Sequence, residues 1–160
     1  MSFKIFVFDL DNTLYLHRIS NDGYCEKYHK KLKWFLEKLL QHDKILCIAT
    51  HNREPYDLLK KIGIHDLFNT IICEQKILSA YLHTISDYTS KKYMIDEILK
   101  SVNKDKNTTY DKEDVIFFDD HTYNITEVQS LNVESIKVCP LLGLDIDTIL
   151  CNVINTHETY

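Results

Sequence analysis

Glycine is scarce in this chain: among 160 residues only Gly23, Gly63 and Gly143 occur, far apart from one another. A Walker loop or a dinucleotide fingerprint needs several glycines within about eight residues, so that backbone can approach phosphate closely. Neither can be built here. The five cysteines (Cys25, Cys47, Cys73, Cys139, Cys151) are odd in number and scattered, with no CxxC, and the eight histidines form no HExxH. A disulfide frame or a zinc site is therefore not expected; buried thiols in a reducing compartment are. A surplus of positive charge is also lacking. The net charge of −5, from 19 basic and 24 acidic residues, argues against a general nucleic-acid surface. The local run of Lys27, Lys30, Lys31 and Lys33 reads as a solvated helix face. No apolar run approaches the ~18 residues of a membrane span. The N-terminal IFVF is too short for a signal peptide and ends at Asp9. The expectation is a soluble, cytoplasmic protein without a membrane partner.

What the chain does contain is enough apolar material, 44% of its residues, to fill the core of one domain spanning 1–160. Four short apolar runs read as buried strands: Lys4–Phe8, Lys44–Ala49, Thr70–Cys73 and Val115–Phe118. Glu134–Cys139 makes a fifth. Continuous apolarity, rather than alternation, suits a parallel sheet covered on both faces. Between the strands, residues 24–42 place Tyr28, Leu32, Phe35, Leu36, Leu39 and Leu40 on one helical stripe. Residues 54–62 open near Pro55 and stop at Gly63, the usual asymmetry of helix ends. Further helices are expected at 92–102, 124–131 and about 145–155. Asn103–Asp114 reads as a surface loop, and residues 74–90 are ambiguous, with an apolar spacing that hints at an extra helix. Strands alternating with helices give an α/β, doubly wound (Rossmann-like) fold of about five parallel strands.

In such sheets ligands bind beyond the carboxyl ends of the strands. Asp9-Leu10-Asp11-Asn12-Thr13 follows the first expected strand, Thr50-His51-Asn52 the second, and Asp119-Asp120 the fourth. Lys91 and Lys92 open the helix before that carboxylate pair. Carboxylates converging on one rim repel unless a cation sits between them, and oxygen-only ligands favour a hard ion such as Mg²⁺. A calcium loop is excluded, because position 14 is Leu where the loop glycine belongs and position 20 is Ser where a closing carboxylate belongs. Taken singly each piece has a plain reading: Thr50 as a helix cap, Lys91 as a solvated charge, Asp119 and Asp120 as capping carboxylates. Their order, each at a strand end, is what makes chance a poor account.

FVFDLDNTL, IAT, a following lysine and VIFFDD resemble, in order, the four motifs of the haloacid dehalogenase (HAD) superfamily, over Phe3 to about Val138. SKKYMIDEI followed by VIFFDDHTYNI looks most like its small, capless, magnesium-dependent phosphatases. The resemblance implies Asp9 as a nucleophile forming an aspartyl-phosphate, and Asp11 as general acid and then base. It implies Mg²⁺ on the Asp9 carboxylate, the Asp11 backbone carbonyl and the Asp120 carboxylate, with Thr50 and Lys91 holding the phosphoryl group. Asp119 would support the site by pairing with Lys91, Asn124 would orient a metal-bound water, and Thr13 would secure the loop by hydrogen bonding. His51 stands where the closest subgroup carries an arginine, so its contacts to substrate would differ. Tyr15 and His17, just past the nucleophile loop, are plausible substrate contacts or ordinary surface residues.

The intervals Leu14–Thr50 and Thr50–Lys91 are too short for a full cap, although 74–90 could form a small lid. An open site suits a phosphoprotein or another macromolecular phosphate. A sugar phosphate or a nucleic-acid 3′-phosphate is the alternative, nucleic acid being disfavoured by the charge. A catalytically silent domain used for binding or regulation competes with these readings, but every catalytic position is filled. Transfer to an acceptor other than water is a further alternative that the motifs leave open.

Overall fold

The structure, a computed structural model, describes residues 3–18, 22–74 and 90–151. Five strands form one all-parallel sheet: β1 (Ile5–Phe8), β2 (Ile45–Thr50), β3 (Thr70–Cys73), β4 (Val115–Asp119) and β5 (Glu134–Lys137), in the order β3-β2-β1-β4-β5. This is the expected α/β architecture. The chain leaves the central β1 towards β2 and β3, then returns to the other side of β1 for β4 and β5. The direction of winding therefore reverses between β1 and β4, and at such a switch point the connections diverge and leave a crevice above the strand ends.

Helices cover both faces. α1 (Tyr24–Gln41) and α2 (Pro55–Lys61) contribute to one core, α3 (Lys91–Lys106) and α4 (Thr122–Gln129) to the other, and α5 (Ile146–Ile149) joins the first. Strand parity sorts the sheet's residues between them. Phe6 and Phe8 join Ile48, Phe118 and α1, with the Phe8 and Phe118 rings stacked at 5.0 Å. Ile5, Val7, Cys47, Ala49 and Phe117 face Met94, Ile95 and Ile98 of α3. Each such side chain, taken fully out of water, contributes about 1.5–3 kcal/mol relative to exposure.

Two boundaries differ from expectation. The helix that opens at Lys91 runs on to Lys106, into the stretch read as loop, because Val102 in its last turns is fully buried. It stops where Asn107 turns left-handed, and the Asn103 side chain then ties down the following residues through Thr108 and Tyr110. β5 ends at Lys137 rather than Cys139, which instead bridges Gly143 in a turn. Gly143 has a positive φ of 76°, and a Cβ there would collide with the Tyr28 ring. The possible lid lies at 75–89, outside the described residues, as do residues 152–155 of the expected last helix. Among the described residues no helix is long and apolar enough to cross a membrane.

Candidate active site

The same parity that sorts the core places the charged residues. Asp9 continues the Ile5–Val7 face and Asp119 continues the Val115–Phe117 face, so both point towards α3. The parallel pairing of β1 and β4 extends to the Asp9 amide, which donates to the Phe118 carbonyl at 2.8 Å. α3 begins at this level, with Ser90 as its cap accepting from the Tyr93 amide. Its first residue, Lys91, is wholly buried. An isolated ammonium there would lose its charge, but this one meets three oxygens. Nζ lies 2.6 Å from Asp9 Oδ1, 2.5 Å from the Ala49 carbonyl and 3.2 Å from Asp119 Oδ2. One acceptor for each ammonium proton satisfies the group completely. Glu127 of α4 accepts from the Lys91 backbone amide at 3.1 Å and anchors the start of α3.

Asp119, equally buried, receives two hydrogen bonds from Asn124 Nδ2, at 3.1 and 3.0 Å, and one from the His121 amide at 2.7 Å. Asn124 is thus committed to the Asp119 carboxylate, which differs from the expected role beside a metal-bound water. Asp120 is half-buried at the start of the next turn. Oxygens of Asp9, Asp119 and Asp120 all lie within 4.8 Å of one another. Three carboxylates therefore face one ammonium. The imbalance is visible in their proton affinities. Burial, opposed by Lys91 and reinforced by Asp119, pushes the Asp9 carboxyl up to about 6. Burial and the Asp119 charge raise Asp120 as well.

After Asp9 the chain makes one tight turn around the Leu10 carbonyl, which accepts from the amides of Thr13, Leu14 and Tyr15. Asn12, with φ 59°, closes the turn by donating from its backbone to the Tyr15 carbonyl at 2.7 Å. Leu10, Leu14 and Leu16 are buried beneath it. The Thr13 carbonyl accepts from Tyr28 Oη at 2.6 Å, and that hydroxyl accepts from the Leu144 amide at 3.1 Å. Thr13 therefore secures the loop through its backbone. Its own buried hydroxyl has no hydrogen-bond partner among the described residues.

Asp11 stands at the mouth of the crevice. His17 Nε2 lies 2.5 Å from its Oδ1, and Asn52 Nδ2 donates to its Oδ2 at 3.0 Å. Thr50 is buried at the end of β2, its hydroxyl accepting from the Asn52 amide at 3.1 Å. His51 is exposed on the same rim. Tyr15 reaches sideways to Lys61, whose Nζ donates to its hydroxyl at 2.6 Å. Asn52, at the second strand end, and Glu127 acquire site roles that no motif spacing signals. Asn52 had only its position on the rim to mark it, and Glu127 lies on a helix face without any pattern.

The geometry defines a class. By sequence the chain matches no family model and no curated protein. Its fold is that of the haloacid dehalogenase superfamily, as solved structures show with alignment over nearly the whole chain. A haloacid dehalogenase-like hydrolase from Streptococcus pneumoniae aligns at 15% identity and a TM-score of 0.59, over 94% of this chain and 91% of that one. The N-terminal part of a Bacteroides fragilis protein, containing a phosphatase domain and complexed with Mg, aligns at 15% identity and 0.61, over 93% of this chain and 40% of that one. A β-phosphoglucomutase from Clostridium difficile aligns at 11% identity and 0.57, over 85% and 84%.

Proposed function

We propose that this protein is a Mg²⁺-dependent phosphomonoester hydrolase that works through an aspartyl-phosphate on Asp9. The observation that carries the reading is the grouping of Asp9, Asp119 and Asp120 around the buried Lys91, with Asp11 held at the mouth above them. The donor set suits the metal: it is all oxygen and carries more negative charge than Lys91 offsets. Asp9 and Asp120, with the Asp11 backbone carbonyl, would hold the ion. When bound, Mg²⁺ supplies charge neutralisation for an anionic substrate approaching an anionic nucleophile. The Mg-complexed phosphatase domain of similar fold supports this choice of ion.

The chain's own residues do the rest. A carboxylate oxygen of Asp9 attacks phosphorus, and the bond from phosphorus to the ester oxygen breaks. Asp11 gives that oxygen its proton, so an alcohol departs. Water then attacks phosphorus, its proton passes to the Asp11 carboxylate, and the Asp9–phosphorus bond breaks. Inorganic phosphate leaves and Asp9 is regenerated. Lys91 and Thr50 hold the phosphoryl oxygens through both steps. Asp119, locked by Asn124, keeps Lys91 in place. His51 and Tyr15 border the entry as substrate contacts.

The interval from Leu14 to Thr50 is occupied by α1 and its short connections. With so little above the strand ends from this interval, a phosphate carried on a macromolecule, a phosphoprotein first, can reach Asp9. The test is hydrolysis of p-nitrophenyl phosphate with and without Mg²⁺, followed by phosphopeptides, sugar phosphates and 3′-phosphorylated DNA. Activity that needs Mg²⁺ and disappears in Asp9→Asn is expected. A wild type no more active than that variant on every substrate would end the proposal in favour of a silent binding domain.

A further inference from the structure

Each oxygen of the Asp11 carboxylate is held by a nitrogen from a different loop. His17, on the connection after β1, takes Oδ1 at 2.5 Å; Asn52, after β2, takes Oδ2 at 3.0 Å. Neither nitrogen is there by accident of a floppy side chain. Asn52 Oδ1 accepts from the Glu54 amide at 2.8 Å, which fixes the amide so that its NH₂ group faces Asp11. The His17 ring meets the Tyr15 ring edge-on at 5.0 Å. Tyr15 is itself fixed by the Lys61 hydrogen bond and by stacking on His29 at 5.3 Å, and His29 Nε2 accepts from the Leu16 amide.

We infer that His17 and Asn52 are positioning residues for Asp11, and that their purpose is hydrolysis of phosphate esters of aliphatic alcohols. This inference rests on the acid–base role proposed above for Asp11. A carboxylate at the mouth of a crevice, with its side chain 35% exposed, is free to rotate unless it is held. General acid catalysis requires it within hydrogen-bond reach of the departing oxygen. An aliphatic alkoxide is a poor leaving group and needs that proton as the bond breaks. A nitrophenolate leaves without it. The two-sided grip therefore matters for one substrate class and is idle for the other, and this separates positioning from a surface ion pair that only adds stability.

The experiment compares kcat/KM for glycerol phosphate and p-nitrophenyl phosphate at saturating Mg²⁺ in wild type, Asp9→Asn, His17→Leu, Asn52→Leu and His17→Gln. General acids contribute about 10²–10⁴-fold, so loosening one is expected to cost His17→Leu and Asn52→Leu roughly 10–100-fold on the alkyl ester. The aryl ester should change by less than about threefold, on the same principle. His17→Gln, which still carries an N–H donor, should recover most of the alkyl activity. Equal losses on both esters, no loss on either, or a Gln variant as impaired as the Leu variant would overturn the inference while leaving the phosphatase reading intact. A wild type no faster than Asp9→Asn on both esters would instead remove the phosphatase reading, and the inference with it.

Discussion

The two sides of the crevice are built on different terms. Around Lys91 everything is buried, comes from strand ends and a helix start, and is bonded to saturation: three oxygens on one ammonium and three N–H bonds on Asp119. Around Asp11 the partners are His17, exposed, and Asn52, half-buried, both on connections. Buried charges of this kind tolerate no vacancy, because an ion left without its partner keeps the whole desolvation cost. A partner lost at the exposed mouth can be replaced by water. The inner side should therefore answer substitution with loss of both folding and activity, and the outer side with loss of activity alone.

The largest effect is expected at Lys91. Lys91→Met leaves Asp9 and Asp119 facing each other without a cation, at a cost of about 3–5 kcal/mol of stability, together with loss of turnover. Urea denaturation checks it; a variant as stable as wild type would remove the contrast between the two sides. Asp11→Asn should unfold at the wild-type urea concentration and bind Mg²⁺ normally, yet lose about 10²–10⁴-fold in turnover of an alkyl ester. Near-normal turnover would take Asp11 out of its acid–base role.

A third prediction concerns pH. Asp9 titrates near 6 in the folded protein against an ordinary value of 3.8, so between these values the folded state holds a proton that the unfolded state lacks. Its contribution then favours folding as pH falls through that window, and is lost as pH rises through about 6. Mg²⁺ should reverse the preference, since it needs the ionised carboxylate. The rise in melting temperature on adding Mg²⁺ should thus be large at pH 7.5 and small at pH 5. A shift of equal size at both would contradict the proposed ligand set. The smallest effect belongs to Tyr28→Phe, which removes a hydroxyl bridging the Thr13 carbonyl and the Leu144 amide. About 1–3 kcal/mol should be lost, since two buried backbone groups lose their partner.

The same division explains what the sequence discloses. The inner side was legible because a buried parallel strand announces itself by continuous apolarity, and strand ends in a doubly wound sheet mark the rim. Asp9, Thr50, Asp119 and Asp120 were found that way, and Lys91 by the resemblance of its segment. That Asp119 would pair with Lys91 also followed. The outer side was less legible, because connections have no period. His17 stood out only by its place beyond the nucleophile loop, and Asn52 only as a neighbour of Thr50. The fate of the Asn124 amide, taken by Asp119, depends on a side-chain contact that spacing does not encode. The run of α3 to Lys106 was hidden by polar residues: Asn103, Lys104, Asp105 and Lys106 read as loop, although Val102 anchors that turn.

The central claim is a covalent bond from phosphorus to Asp9. Its most direct test quenches the enzyme in acid during turnover of p-nitrophenyl phosphate with Mg²⁺, reduces any acyl phosphate with borohydride, and maps the peptides by mass spectrometry. The account predicts homoserine at position 9 and at no other aspartate. An active enzyme in which Asp9 stays unmodified while another residue carries the label would contradict it.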